Sequence, residues 1–147
     1  MKVEPIGIIH TPFRIHQGTP AQSSRSKVVG TIEVYEKYAD GLNDIEGFSH
    51  IIVIFRFHRS RGYKLRLKPH WDTEQRGLFA TRAPRRPNQL GLSILKLLSR
   101  SGNILKVEGV DMFDGTPLLD IKPYIPDKRL NRGIRIGWLK GKRTCGR

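Results

Sequence analysis

Two polar segments of the sequence combine charged side chains with residues that fix the shape of the backbone. The first is Gly77–Ser93, GLFATRAPRRPNQLGLS, and the second is Asp111–Tyr124, DMFDGTPLLDIKPY. Proline, glycine, asparagine and aspartate favour defined turns, and a defined turn aims the charged groups beside it. Both segments are therefore candidates for a binding or catalytic site.

The first segment carries three arginines, Arg82, Arg85 and Arg86, on a loop stiffened by Pro84 and Pro87. Proline holds its own φ at about −65° and biases the residue before it away from helix. A guanidinium group suits carboxylates and phosphates because it donates paired hydrogen bonds. The loop is therefore predicted to bind an anionic group.

The second segment contains a tight turn, Asp114-Gly115-Thr116-Pro117, that leads into a strand. Its aspartates, Asp111, Asp114 and Asp120, would lie near the arginines if the two segments meet. A structural interpretation is also open, in which two turns brace a sheet and their charges form surface ion pairs. Such pairs contribute only about 0–1 kcal/mol each. The residues alone do not decide between the two interpretations.

Other chemical motifs have little support. No GxGxxG follows a strand, and GWLKGKR resembles a phosphate loop only superficially. None of the five histidines is paired at metal-ligand spacing, so no metal is predicted. Cys145 is the only cysteine, which excludes an internal disulfide and favours a reducing, cytoplasmic location.

The net charge of +14 predicts a polyanionic partner. Basic residues concentrate in Arg56–Arg86 and Asp127–Arg147, whereas the first 55 residues are near charge balance. Nucleic acid is the leading partner and an acidic membrane surface comes second, while a merely solvated basic surface is the alternative. No apolar run approaches the roughly 20 residues of a membrane span, so no spanning segment is predicted, and the expected partner is nucleic acid and not a membrane.

The elements that must position these segments are predicted to be strands. Runs of apolar and β-branched residues between turn signals predict strands at Ile6–His10, Val28–Tyr35, His50–His58, Ser93–Leu98, Ile104–Val110 and Thr116–Lys122. The turn Ser101-Gly102-Asn103 predicts a hairpin, Glu36–Leu42 a helical turn, and Tyr63–Gln75 a loop.

The predicted fold class is mainly β, a closed or nearly closed β-barrel with one or two short helices, because closure removes exposed sheet edges. The chain of 147 residues suits one such domain. We expect the barrel to span residues 1–126 and a basic C-terminal tail, residues 127–147, to pack on it or extend it.

Both polar segments resemble motifs of one known family. FATRAPRRPNQLGLS is similar to the FATRSPxRPNPIGxS signature of the TsaA-like, or TrmO, family, and DGTPLLDIKPY is similar to its DGTPxxDIKPY. IGIIHTPF and FRFHR also resemble the opening strand and the long strand of that family. The resemblance implies a β-barrel, a homodimer and methyl transfer from S-adenosylmethionine. Its characterised members act on N6 of threonylcarbamoyladenosine next to the tRNA anticodon.

The resemblance also implies which residues bind the cofactor. By position they are Pro20, Ala21, Gln22, His58, Arg59, Arg82, Leu92, Asp114, Gly115, Thr116 and Pro117. The chain departs from the family at Ala21, Ala83 and Gln89, where the family usually has Arg, Ser and Pro. Ala21 removes a charged side chain from the expected site.

Methylation of an adenosine N6 requires an acceptor for the departing proton. Asp114 is expected to be this base or an orienting acceptor, Tyr124 and Lys122 are alternatives, and Asp114 as a simple turn former remains open. The residues expected to bind tRNA phosphates are Arg61, Arg85, Arg86 and Lys122. Two other functions stay open: a non-catalytic basic RNA-binding barrel, and a methyltransferase of the same family with a small-molecule substrate.

Overall fold

A computed structural model describes residues 1–14, 26–130 and 132–142 of the chain. The expected cofactor residues Pro20, Ala21 and Gln22 lie outside the described residues, as does Cys145.

Six antiparallel strands close into a barrel, which confirms the predicted fold class. The barrel strands are β1 (Gly7–His10), β2 (Val29–Val34), β3 (His50–Arg56), β6 (Leu90–Ser101), β7 (Ile104–Glu108) and β8 (Thr116–Pro123). Between β3 and β6 in the chain, a separate two-stranded ribbon pairs β4 (Arg66–Leu67) with β5 (Arg76–Gly77). Around the barrel the order is β1-β2-β7-β6-β3-β8, and β8 pairs back onto β1. Each strand of the barrel therefore has two hydrogen-bonded neighbours.

The helices are all short in the described part of the chain. The described residues form four 3-10 helices, at Glu36–Leu42, Ile45–Gly47, Leu78–Ala80 and Gly137–Leu139, where one or two short helices were expected. None of these described helices has the length and apolar character that crossing a membrane requires.

Alternation of side chains along the strands builds the core. In β3, Ile51, Val53 and Phe55 point into the barrel and are buried, while Ile52 and Ile54 face outward and are half-buried. The other strands supply the core residues Ile9, Ile32, Val34, Leu95, Leu105, Val107 and Leu118, and segments outside the strands add Phe13, Leu42, Val110 and Met112. Burying one such side chain contributes about 1.5–3 kcal/mol, so the two-residue period of these strands drives closure.

A glycine in the first polar segment allows close packing. Gly91 pairs with Phe55 in the register of β3 and β6, and a Cβ at position 91 would overlap the Phe55 ring. Only a residue without a side chain lets the ring lie flat against β6 at this point.

The strands also differ from the sequence prediction at two places. β6 begins at Leu90 rather than Ser93, because its first residues pair with the end of β3. The predicted loop Tyr63–Gln75 contains β4, since Arg66 and Leu67 pair with β5. A strand of two residues shows no periodicity and depends on its partner, so residue pattern alone does not predict it.

Candidate functional site

The two polar segments meet at one end of the barrel. β3 is antiparallel to both β6 and β8, so its carboxyl end lies beside the amino ends of the strands that the two segments enter. The Phe57 N–H, just past β3, donates to Gln89 O at 2.8 Å. The Ser93 hydroxyl donates to Asp111 Oδ1 at 2.9 Å, which joins the first segment directly to the second.

Arginine side chains hold the first segment in shape. Arg86 Nη1 donates to the carbonyls of Thr81 at 3.0 Å and Ala83 at 3.2 Å, so this side chain braces its own loop. Arg82 is exposed, and its Nη2 donates to Leu92 O at 3.1 Å. A guanidinium carries five N–H donors, so Arg82 is anchored while donors remain for a ligand.

The turn at the start of β8 is tied to the end of β1. Asp114 Oδ1 accepts from the Thr11 N–H at 2.9 Å, and the Asp114 N–H donates to Phe13 O at 2.8 Å. The Gly115 N–H donates to Ile9 O at 3.0 Å, and its φ of +78° is a conformation that favours glycine. One oxygen of Asp114 therefore braces the turn, while its side chain remains 33% exposed.

His58 lies over the same turn with a defined hydrogen-bonding role. The Thr116 hydroxyl donates its single proton to Phe113 O at 2.6 Å, and His58 Nδ1 lies 3.4 Å from Thr116 Oγ1. Because that hydroxyl has no second proton, a hydrogen bond here would be donated by Nδ1, and Nε2 would then be an acceptor. Partial burial, and next the charge of Arg59, lower the pKa of His58 below its ordinary value. The imidazole is therefore neutral at neutral pH.

Arg59, just past the end of β3, contacts both the second polar segment and the residues that follow β1. Its guanidinium lies 4.8 Å from the centroid of the Phe113 ring, and its Nη1 donates to Arg14 O. A cation over an aromatic face is stabilised by the ring quadrupole. The positive charge of Arg59 is thus fixed beside His58 and the second segment.

Leu92 contributes apolar surface to this region. Its side chain is on the outer face of β6, opposite Ile54 of β3, and is 48% exposed. The structure therefore brings His58, Arg59, Arg82, Leu92 and the turn Asp114-Gly115-Thr116-Pro117 to the strand ends or outer face of one barrel sector.

Two predicted site residues, Tyr124 and Lys122, lie at the other end of the barrel from the Asp114 turn. Tyr124 follows the far end of β8, where its N–H donates to His50 O at the start of β3. β8 has eight residues, and at about 3.3 Å per residue it separates Tyr124 from Asp114 by about 25 Å. Lys122 is near the same far end and pairs with Asp120 at 2.8 Å. A single chain does not join either residue to the Asp114 turn.

Arg61 and Arg85 are exposed on the loops that leave β3 and enter β6. Both loops belong to the end of the barrel that carries the candidate site, so their charges border it. Within the described ranges, no three His, Cys, Asp or Glu side chains gather as metal ligands would.

Sequence reasoning missed a buried carboxylate, Asp72. It accepts hydrogen bonds from Lys142 Nζ at 2.6 Å and Arg76 Nε at 2.7 Å. The Thr73 and Glu74 N–H groups also donate to it, at 2.8 and 3.3 Å. The hydrogen bonds from Lys142 and then Arg76 hold the pKa of Asp72 well below its usual range. The sequence signal was the short Asp-Thr-Glu run, which is typical of an aspartate that caps its own turn.

The fold and the site together define a class: small closed β-barrels whose ligand site is built from loops at one strand end. The model of the tRNA-methyltransferase O N-terminal domain matches residues 8–128 of the chain. The chain belongs to this family, as its two signature segments indicated.

Relatives and solved structures agree with this membership. A "probable S-adenosyl-L-methionine-binding protein" of Pyrococcus abyssi is 51% identical over 137 residues, which cover 92% of this chain and 74% of that protein. A tRNA (adenine(37)-N6)-methyltransferase of Mus musculus is 39% identical over 132 residues, covering 84% of this chain and 31% of the mouse protein. The crystal structure of TrmO from Pseudomonas aeruginosa superimposes with a TM-score of 0.77 at 33% identity, covering 94% of this chain and 62% of that chain. The chain thus spans only part of the mouse and bacterial proteins.

Proposed function

We propose that this protein is an S-adenosylmethionine-dependent methyltransferase that acts on N6 of an adenine in tRNA. The observation that carries the proposal is the meeting of the two signature segments at one barrel end, joined by Ser93 and Asp111. The names of the Pyrococcus and mouse relatives support the cofactor and the tRNA substrate. The target that we propose is threonylcarbamoyladenosine next to the anticodon.

The chemistry of the site suits S-adenosylmethionine. Arg82 has N–H donors left for the carboxylate of the methionine part, and exposed Leu92 offers an apolar surface to the nucleoside. Neutral His58 adds no positive charge beside a sulfonium. Arg59, Asp114, Gly115, Thr116 and Pro117 would complete this side of the site, and Pro20, Ala21 and Gln22 remain part of the proposal.

The residues of the chain would act mainly by orientation. The bound cofactor supplies a methyl group on an activated sulfonium, so no metal is required for transfer. Holding the adenine amine in line with that methyl group is worth up to about 7–11 kcal/mol of the barrier. The bond between N6 and the methyl carbon forms, the bond from carbon to sulfur breaks with its electron pair going to sulfur, and N6 loses a proton.

Two groups are candidates to accept that proton. Asp114 is the acceptor that we propose from its position in the signature turn, and one of its oxygens already accepts from Thr11. A second candidate is His58, because its neutral ring leaves Nε2 as an acceptor above the same turn. Tyr124 could serve only if a second subunit brought it to the site.

Exposed positive charge supports the tRNA part of the proposal. Arg61 and Arg85 border the site and would bind phosphates, which such charges attract without regard to base sequence. Arg86 is occupied in bracing its loop, so its contribution to RNA binding would be smaller. Lys122 would contact RNA only from the far end of β8.

An apolar surface supports the homodimer. Leu90, Leu92 and Ile94 on the outer face of β6 are 50%, 48% and 39% exposed, and they adjoin half-buried Ile52 and Ile54 of β3. Contiguous exposed apolar patches mark interaction sites. We propose that a second copy of the chain covers this face around Leu90 and Ile94, so that the cofactor on Leu92 would lie at the edge of the subunit interface, and that the enzyme works in the cytoplasm.

Mass spectrometry of tRNA nucleosides tests the proposed function. Protein incubated with tRNA and methyl-labelled S-adenosylmethionine should transfer the label to an adenosine derivative, at N6. Cofactor binding by calorimetry without label in tRNA would instead support a small-molecule substrate. Salt-sensitive RNA binding with no cofactor binding would support a non-catalytic RNA-binding barrel.

A further inference from the structure

We propose that the C-terminal segment Gly137–Lys142 positions the signature loop for cofactor binding. It would act through a group that we name the Asp72 clamp, formed by Asp72, Arg76, Trp138 and Lys142. In this role Asp72, Trp138 and Lys142 are positioning residues, and the ligand-contacting group that they align is Arg82. The inference rests on the proposed function, because it assumes that Arg82 binds S-adenosylmethionine.

The centre of the clamp is a fully buried charge. The Asp72 side chain is 1% exposed, and it lies within hydrogen-bond distance of Lys142 Nζ, Arg76 Nε and two backbone N–H groups. A buried carboxylate is tolerated only where such partners replace water. Losing Lys142 would therefore remove one of the two cations that cover this carboxylate, together with the hydrogen bond that ties the tail to it.

The indole of Trp138 gives the clamp its second attachment. Trp138 Nε1 donates to Ala80 O at 2.8 Å. Arg76 and Lys142, the two cations that neutralise Asp72, also lie 5.5 and 5.9 Å from the centroid of the Trp138 ring. The tail is thus fastened both to Asp72 and to the 3-10 helix Leu78–Ala80.

Both attachments lie directly before Arg82 in the chain. Arg76 is in β5, which runs straight into Leu78–Ala80, and Ala80 is two residues from Arg82. That helix is fixed to the body of the protein because Leu78 is buried and its N–H donates to Leu65 O at 2.8 Å. Arg82 is held on its other side by Leu92 O. The clamp is therefore one of the contacts that anchor the Arg82 loop, together with the hydrogen bonds that Arg86 donates to Thr81 O and Ala83 O.

The clamp acts on the loop rather than on the barrel. In the described part of the chain, the side-chain hydrogen bonds of Trp138 and Lys142 go to Ala80 and Asp72, which are both outside the barrel strands. Trp138 and Lys142 also lie beyond residue 128, where the family match ends. A ligand-binding side chain must be held within about 0.5 Å of its productive position, so loosening this support would weaken binding without unfolding the barrel.

Calorimetry with S-adenosylmethionine on the full chain tests the clamp. We expect Trp138→Phe, which removes the N–H donor and shortens the aromatic ring, to weaken binding about threefold to tenfold. Lys142→Met should weaken it by about tenfold or more, and Lys142→Arg should restore most of the affinity. The matched control is Lys140→Met, which removes the same charge from an exposed position two residues away and should leave affinity unchanged.

A double-mutant cycle separates positioning from general damage. In an Arg82→Ala background, Trp138→Phe should cause no further loss of affinity, because the clamp acts through Arg82. Equal cofactor affinity in wild type, Trp138→Phe and Lys142→Met would overturn the inference.

Hydrogen exchange gives a readout that needs no cofactor. The Leu78 and Thr81 amides, bonded to Leu65 O and Leu78 O, should exchange faster in Trp138→Phe and Lys142→Met than in wild type or Lys140→Met. If the proposed function is wrong, the wild-type protein would give no heat of S-adenosylmethionine binding. The difference in amide exchange between the clamp variants and the wild type would then remain. Unchanged exchange in both clamp variants would overturn the clamp itself.

Discussion

His58 shows how two neighbours can set the charge of one side chain. Partial burial and the adjacent Arg59 lower its pKa, while the occupied Thr116 hydroxyl favours the Nδ1–H form. The family resemblance marked His58 as a cofactor residue, but its tautomer depends on Phe113 O, which lies in another segment. Such a detail follows from tertiary contacts and is not visible in the residue pattern FRFHR.

Cofactor binding should depend on pH through His58. The folded pKa is lowered, so the unfolded chain binds more protons between that value and the ordinary value of about 6.5. The contribution of His58 to the free energy of unfolding is therefore fully present above about pH 6.5 and is lost as the pH falls through this window. A protonated His58 would also repel the sulfonium of the cofactor. Calorimetry from pH 8 to pH 5 should show weaker binding in acid. His58→Asn should flatten this profile, and an identical profile in both proteins would contradict the assignment.

At the scale of elements, the strands were predictable because their chemistry is local. The apolar run and alternation of β3 and the glycine turn at Gly102, with its φ of +60°, each carry their signal within a few residues. The meeting of the two segments depended on the barrel order, in which β3 lies between β6 and β8. The Asp72 clamp joins side chains 70 residues apart, so no local pattern could reveal it.

The packing of β3 against β6 predicts a strong effect of substituting Gly91. Gly91→Ala places a methyl group into the Phe55 ring and should destabilise the fold by about 1–3 kcal/mol. Gly47→Ala is the matched control, because nothing lies within 4 Å of a Cβ there, and its effect should stay within about 0.5 kcal/mol. Urea unfolding of the two variants measures the difference. Recovery of stability by Phe55→Leu in the Gly91→Ala protein would confirm that the ring is the obstacle.

At the scale of the whole molecule, the exposed apolar face of β6 predicts that two copies of the chain associate through this face. Ile94→Lys places a charge on the apolar face of β6, opposite Ile52 of β3, and should convert the proposed dimer into a monomer. Val29→Lys is the control, since Val29 is on β2, two strands away around the barrel, and its 41% exposure matches the 39% of Ile94. Sedimentation velocity distinguishes the two outcomes. A wild-type monomer at all concentrations, or dissociation by both variants, would contradict an interface on this face.

Closure of the barrel also limits the ways in which this chain can join others. Every barrel strand already has both neighbours, so the backbone offers no free edge on which a foreign strand could be templated. Recruitment by strand addition, the route that leads toward fibres, is blocked at the barrel. A partner that binds the barrel must therefore contact its surface side chains, so single surface substitutions can change which partners bind.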